Sequence, residues 1–167
     1  MRSENKKIRA MMVGLLGVAI ALSGVAVASP AVAASTSYQG GDGDPSTCTN
    51  AYTVKSAPIY GQRGVTAGKQ IGVLELRYSS GCRANWSRVT LYQQSFTSPI
   101  LIQQDLNTEG RWTTTSDYGL SVRYNPVTKW GRYIRLQNVN STACVQTWIS
   151  SDFGTLNYHT VGARVCA

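Results

Sequence analysis

From Val73 to Tyr78 the side chains alternate in character: Leu74, Leu76 and Tyr78 fall on one side, Val73, Glu75 and Arg77 on the other. A period of two belongs to a strand with two unlike faces. Ser79-Ser80-Gly81 then supplies turn residues, and Trp86–Gln93, rich in Val, Thr, Leu and Tyr, resumes an extended pattern. The pair predicts a hairpin or β-arch with Cys82 and Trp86 near its bend, where a cysteine can anchor a distant segment and an indole can cover the hinge. The same reading predicts strands over Ala51–Tyr60, Ile100–Gln104, Arg111–Thr115, Leu120–Tyr124, Tyr133–Val139, Ala143–Ile149 and Thr155–Val161. In Ala51–Tyr60, Tyr52, Val54 and Ser56 should share one face and Thr53, Lys55 and Ala57 the other, with Pro58 marking an edge or an end. Asn107–Gly110 reads as a turn and Gly61–Gly68 as a polar loop. Strand signals recur roughly every ten residues and no helical period follows Ala34, so the expected fold is all-β. It should be a small single-domain barrel or sandwich of about eight short strands.

The N-terminal pattern is different. Arg2, Lys6, Lys7 and Arg9 precede Ala10–Ala28, which holds no charge, and Ala31-Val32-Ala33-Ala34 offers small residues for a peptidase. Residues 1–34 are expected to be a secretory signal peptide cleaved near Ala33 or Ala34, with a retained membrane anchor as the rival reading. Residues 35–47, nearly free of hydrophobes, read as a flexible arm running into a turn at Asp44-Pro45. Residues 48–167 then make a single β domain. The protein is expected to be secreted, with no membrane attachment after cleavage.

Export changes the meaning of the four cysteines, Cys48, Cys82, Cys144 and Cys166. An even number in an exported chain argues for two disulfides, and three pairings are open. Cys48–Cys82 with Cys144–Cys166 is favoured because each pair lies within one half of the chain. No C-x-x-C spacing occurs and His159 is the single histidine, so neither a zinc site nor another metal site is expected. Asp42 and Asp44, in a glycine-rich stretch, are too few for a calcium cage and read as a solvated turn. No phosphate-cradling or dinucleotide fingerprint occurs, and no cofactor is expected.

Leu74-Glu75-Leu76-Arg77-Tyr78-Ser79, then Cys82-Arg83, then Trp86 and Arg88, stand downstream of Asp44-Pro45 and Cys48. This arrangement resembles the signature of a family of small secreted or surface-exposed proteins of Gram-positive bacteria that carry a domain of unknown function. The likeness runs over about Tyr38–Val89. It departs at Gly81, where a Pro-Ser type of turn is usual, and in lacking a further cysteine before Asp44. The resemblance implies secretion and a β domain, and no particular chemistry.

Beyond the leader the chain carries twelve basic residues, nine of them arginine, against seven acidic ones. Arginine suits bidentate contacts with carboxylate or phosphate and stacking on rings. Trp86, Trp112 and Trp130 stand beside or near Arg83, Arg88, Arg111, Lys129 and Arg132, a combination fitting sugar faces or anionic polymers. These eight are the candidate ligand-binding residues, and the ring-on-guanidinium packing of a small β core is the competing explanation. Anionic cell-wall polymer, glycan or another protein are the expected partners, with nucleic acid left open.

Catalysis has weaker support. Ser80-Gly81-Cys82-Arg83 resembles part of the L,D-transpeptidase signature, but Ala84 stands where that signature needs arginine, and a bridged Cys82 cannot attack. His159 with Asp117 or Asp152 lacks a nucleophile elbow. No catalytic residue is assigned. The expected function is a secreted, non-catalytic binding module at or beyond the cell envelope. A small secreted hydrolase or wall-modifying enzyme, or a protein-interaction or inhibitor domain, is the alternative. Finally, Leu76–Arg88 is echoed by Val122–Arg132, both running Arg-Tyr, a turn and Trp-x-Arg, which raises the prospect of two duplicated β units.

Overall fold

The computed structural model describes residues 34–62, 64–97, 99–151 and 161–167. The expected signal peptide (apart from Ala34), His159, Asp152 and all of the predicted Thr155–Val161 strand but its last residue lie outside them. The described residues form two antiparallel sheets packed as a sandwich, not a closed barrel.

The first sheet runs β1 (Ser35–Gly40), β6 (Arg111–Leu120), β5 (Ile100–Thr108), β9 (Ala143–Ser151) and β10 (Val161–Cys166). The second runs β2 (Ala51–Tyr60), β3 (Gln70–Ser79), β4 (Ala84–Leu91) and β7 (Val127–Trp130), with the two-residue β8 (Ile134–Arg135) also on β4. The described residues thus hold ten strands, beside an expectation of about eight.

Period-two alternation places Leu74, Leu76, Val89 and Leu91 of one sheet against Ile102, Leu106, Val145 and Ile149 of the other, all essentially inaccessible to water. Each such side chain contributes roughly 1.5–3 kcal/mol on burial. The predicted hairpin is β3–β4, turned by Ser80–Arg83 with Arg83 at a positive φ of 49°. Cys48–Cys82 ties the segment before β2 to that turn, and Cys144–Cys166 joins residues directly opposed on β9 and β10. The favoured pairing is the one formed.

Several expectations are corrected. Residues 35–47 are not a free arm over their first half: Ser35–Gly40 pairs residue for residue with Tyr118–Thr113 of β6. The chain leaves that strand at Gly40, whose φ is +68°, and a Cβ there would lie 2.6 Å from the Trp112 carbonyl oxygen, so only glycine fits. A short 3-10 turn follows at Pro45–Thr47.

β2 has its predicted span, but its register slips between Thr53 and Lys55. The extra residue moves Lys55 and Ala57 opposite Leu76 and Leu74, while Thr53 remains on the Glu75 face. Leu120–Tyr124 is not a strand, because β6 ends at Leu120. Of Tyr133–Val139, Ile134 and Arg135 pair with β4 and Tyr133 makes a single bridge to Gly43. Pairing stops there because Glu109 takes the amides of Gln137 (2.9 Å) and Asn138 (2.7 Å) that a neighbouring strand would have used. The internal echo does not produce matching units: Leu76–Arg88 is the β3–β4 hairpin, whereas Val122–Arg132 is a loop followed by a four-residue edge strand.

Candidate functional site

The edge strand of each sheet leaves one side of the sandwich open. β1 borders the first sheet and β7 the second, and the chain at Asp42–Pro45 closes one end by pairing Gly43 with Tyr133. Between them lies a cleft of about 360 Å³. That volume is at the small end of the range for ligand sites.

The inward row of β6 is Thr113, Thr115 and Asp117, all buried, and Thr115 and Asp117 give the cleft a polar floor. Asp117 is 2% exposed. Its Oδ1 accepts from Thr36 Oγ1 at 2.6 Å and lies 3.3 Å from Lys129 Nζ, and its Oδ2 has no partner among the described residues. Gln104, across from Thr115 and equally buried, has neither amide atom partnered among those residues. Unmet buried acceptors and donors are costly, and Asp117, unlike Gln104, lines the cleft, where such an acceptor marks a place for a ligand's polar group.

The walls are aromatic and charged. The Arg132 guanidinium stacks over the Tyr38 ring at 4.1 Å, while its backbone amide donates to Thr115 Oγ1 at 3.2 Å. Trp130 is 44% exposed, and its indole donates to the Asp44 carboxylate. Asp44 also accepts from the Ser46 amide at 2.8 Å as cap of the 3-10 turn. The Ser46 amide first, then the Ser46 hydroxyl, the Trp130 indole and the Arg132 charge, hold this carboxyl below its ordinary range against the opposing effect of burial. Two cations, two carboxylates and two ring faces thus line one small space, with no net charge.

Three of the eight residues singled out in the sequence, Lys129, Trp130 and Arg132, meet here. The others are dispersed. Arg88 is forked onto Glu75 at 2.5 and 2.7 Å, and Arg77 stands 3.8 Å from the same carboxylate. Burial raises the Glu75 pKa, but the Arg88 and Thr53 hydrogen bonds and both guanidinium charges outweigh it and leave the group below its ordinary range. Arg111 pairs with Asp42, whose second oxygen accepts from the Arg135 amide at 2.7 Å. Arg83 sits exposed in the β3–β4 turn.

Trp86 is no ligand platform: it is 5% exposed and packs with Ala84, Tyr133 and the Cys48–Cys82 bridge. Trp112 is 54% exposed but stands on the outer face of the first sheet. The eight therefore form no single basic aromatic face: Glu75, directly across the β3–β4 pair, holds Arg88, and Asp42, in the segment after β1, holds Arg111.

Sequence reasoning missed Tyr38, Asp44 and Asp117 as site residues. The Thr-x-Thr-x-Asp row carries a period-two signal, yet a polar row reads as solvent-facing until the opposite sheet is placed over it.

A family model described as a protein of unknown function (DUF2690) matches residues 36–144. The chain belongs to that family. No curated protein and no solved structure matches it. The matched span contains every cleft residue named above and the Cys48–Cys82 bridge, and it ends at Cys144, the second residue of β9.

Proposed function

We propose that the protein is an exported, non-catalytic glycan-binding module that holds one or two sugar units in the cleft between β1 and β7. The observation that carries this reading is Asp117 Oδ2, a buried acceptor without a partner among the described residues, on a side chain that lines a cleft together with Trp130 and Tyr38. A sugar hydroxyl or amine can donate to that oxygen while a ring face covers the C–H side of the pyranose. Lys129, Arg132 and Asp44 supply donors and acceptors of both kinds around the rim. The balance of charge favours a neutral or zwitterionic sugar over a polyanion, since the cations present already face carboxylates.

Work outside the cell is supported by the leader-like pattern of residues 1–34 and by two disulfides. Among the described residues no helix is long and apolar enough to cross a membrane.

The test is calorimetric titration of the disulfide-intact protein with soluble oligosaccharides of amino and neutral sugars. Binding should fall by about tenfold or more in Asp117→Asn and in Trp130→Ala, the scale of one lost charged hydrogen bond or stacking contact. Binding untouched by both substitutions refutes the site. Release of reducing sugar from the same glycans would instead favour a hydrolase using Asp44 and Asp117.

A further inference from the structure

The outer face of the first sheet bears on a different ligand geometry. The β5–β6 and β5–β9 registers set Thr114, Asp105 and Gln146 side by side in one row, with Arg164 next along on β10. Neighbouring rows carry Trp112 with Asn107 at one end and Gln103 with Trp148 at the other. Trp112, Trp148 and Tyr118 on this face are 54%, 39% and 39% exposed. Trp112 and Trp148 are two strands and two rows apart, which puts their backbones roughly 17 Å from each other along a diagonal through Asp105. Gly162 lies opposite Trp148, so no side chain of β10 covers that indole.

The centre of the face is built and polar. Asp105 accepts from Thr114 Oγ1 at 2.8 Å and from Gln146 Nε2 at 3.2 Å, which fixes both side chains in the plane of the sheet. Beside them a groove of about 360 Å³ runs past Asn107 and Arg164. A protein-binding patch has an apolar centre and a polar rim. Here the order is reversed, with amides in the middle and rings at the margin.

We infer that this face is a second binding surface, independent of the cleft, for an extended uncharged polysaccharide. Side-chain amides offer paired donors and acceptors to vicinal hydroxyls, and indoles well apart can each cover one sugar of a chain laid across the strands. One carboxylate already hydrogen-bonded on both oxygens and one guanidinium leave little net field, which suits a ligand without charge. Two separate sites on one domain would let it hold a polymer at the flat face and an end or branch in the cleft, with the gain in retention that bivalence brings.

The experiment is sedimentation of the disulfide-intact protein with insoluble chitin, cellulose and starch granules, at low and high salt. Retention on at least one polysaccharide, unaffected by salt, is expected. Trp112→Ala and Trp148→Ala should each reduce it by about tenfold, and Asp105→Asn by less, with melting temperatures unchanged because both indoles are exposed. Trp130→Ala should leave this retention in place while abolishing uptake of soluble sugar, so the two sites fail separately. No retention on any of the three, retention lost in salt, or retention indifferent to both indoles would overturn the inference. So would capture of a protein partner that the Trp112→Ala and Trp148→Ala variants no longer bind, in the absence of polysaccharide retention.

Discussion

Replacing Glu75 by glutamine tests whether Arg77 and Arg88 are structural cations. The Glu75 side chain is 11% exposed, with Arg77 at 14% and Arg88 at 33%. Glutamine keeps the shape and an acceptor for Thr53, yet removes the charge that holds two guanidinium groups on one sheet face. Stripping one partner from a buried ion pair costs about 3–5 kcal/mol. Solvent reaches a third of Arg88, so screening reduces this to about 2–3 kcal/mol. For a domain of this size that is a fall in Tm of about 10 °C.

The pH dependence gives a second reading of the same interaction. The folded-state pKa of Glu75 is depressed below its ordinary 4.5, so its stabilisation is fully present above that value and is lost as pH falls through the folded-state pKa. Urea unfolding should therefore show a gap between wild type and Glu75→Gln that is full at neutral pH and closes in acid, where the wild-type carboxyl is protonated. A gap under about 0.5 kcal/mol at neutral pH, within the scatter of ordinary surface substitutions, would refute the network. A gap that persists unchanged in acid would do the same. Arg88→Ala should destabilise similarly and leave sugar binding in the cleft intact.

Other substitutions separate framework from site. The Cys48→Ser/Cys82→Ser pair opens a closure spanning 34 residues and should cost about 4 kcal/mol on the loop-entropy model, measured by urea unfolding. Trp86→Ala should cost about 3–5 kcal/mol by leaving a cavity beside that bridge, whereas Trp130→Ala should change stability by under about 1 kcal/mol while removing sugar binding. Gly40→Ala should destabilise by more than about 1 kcal/mol, because its φ is positive and the added carbon meets a backbone carbonyl, and thermal melting will show it. Asp42, Asp44 and Glu109 share the depressed carboxyl pKa of Glu75, so the wild-type protein should lose stability progressively on acidification.

Alternation along Val73–Tyr78 and the extended pattern of Trp86–Gln93, with turn residues between, located the two central strands, which the structure pairs as a hairpin, and Ala51–Tyr60 was readable to its ends. These patterns are local: each depends on neighbours two residues apart and on side chains that choose a face. The disulfide pairing favoured from closeness along the chain, one of three that were open, is the one the structure forms. The weak strands were not legible. Ser35–Gly40 is polar and wholly exposed, and it is a strand because β6 offers it an open edge. Val127–Trp130 is too short to declare a period and is held by β4.

The site depended on the same non-local facts. The one-residue slip in β2 and the cross-strand pairing of Arg88 with Glu75 cannot be read along the chain, yet they decide which cations remain for a ligand. Asp117 and Tyr38 lie 79 residues apart and line one cleft because strand pairing puts the first strand beside the sixth, and Trp130 of the other sheet lines the same cleft. Composition and periodicity pointed to the class of fold and to two disulfides, with the pairing left to the structure. Pairing between distant strands settled which polar groups are buried without partners, because burial is a property of the opposing sheet and not of the residue.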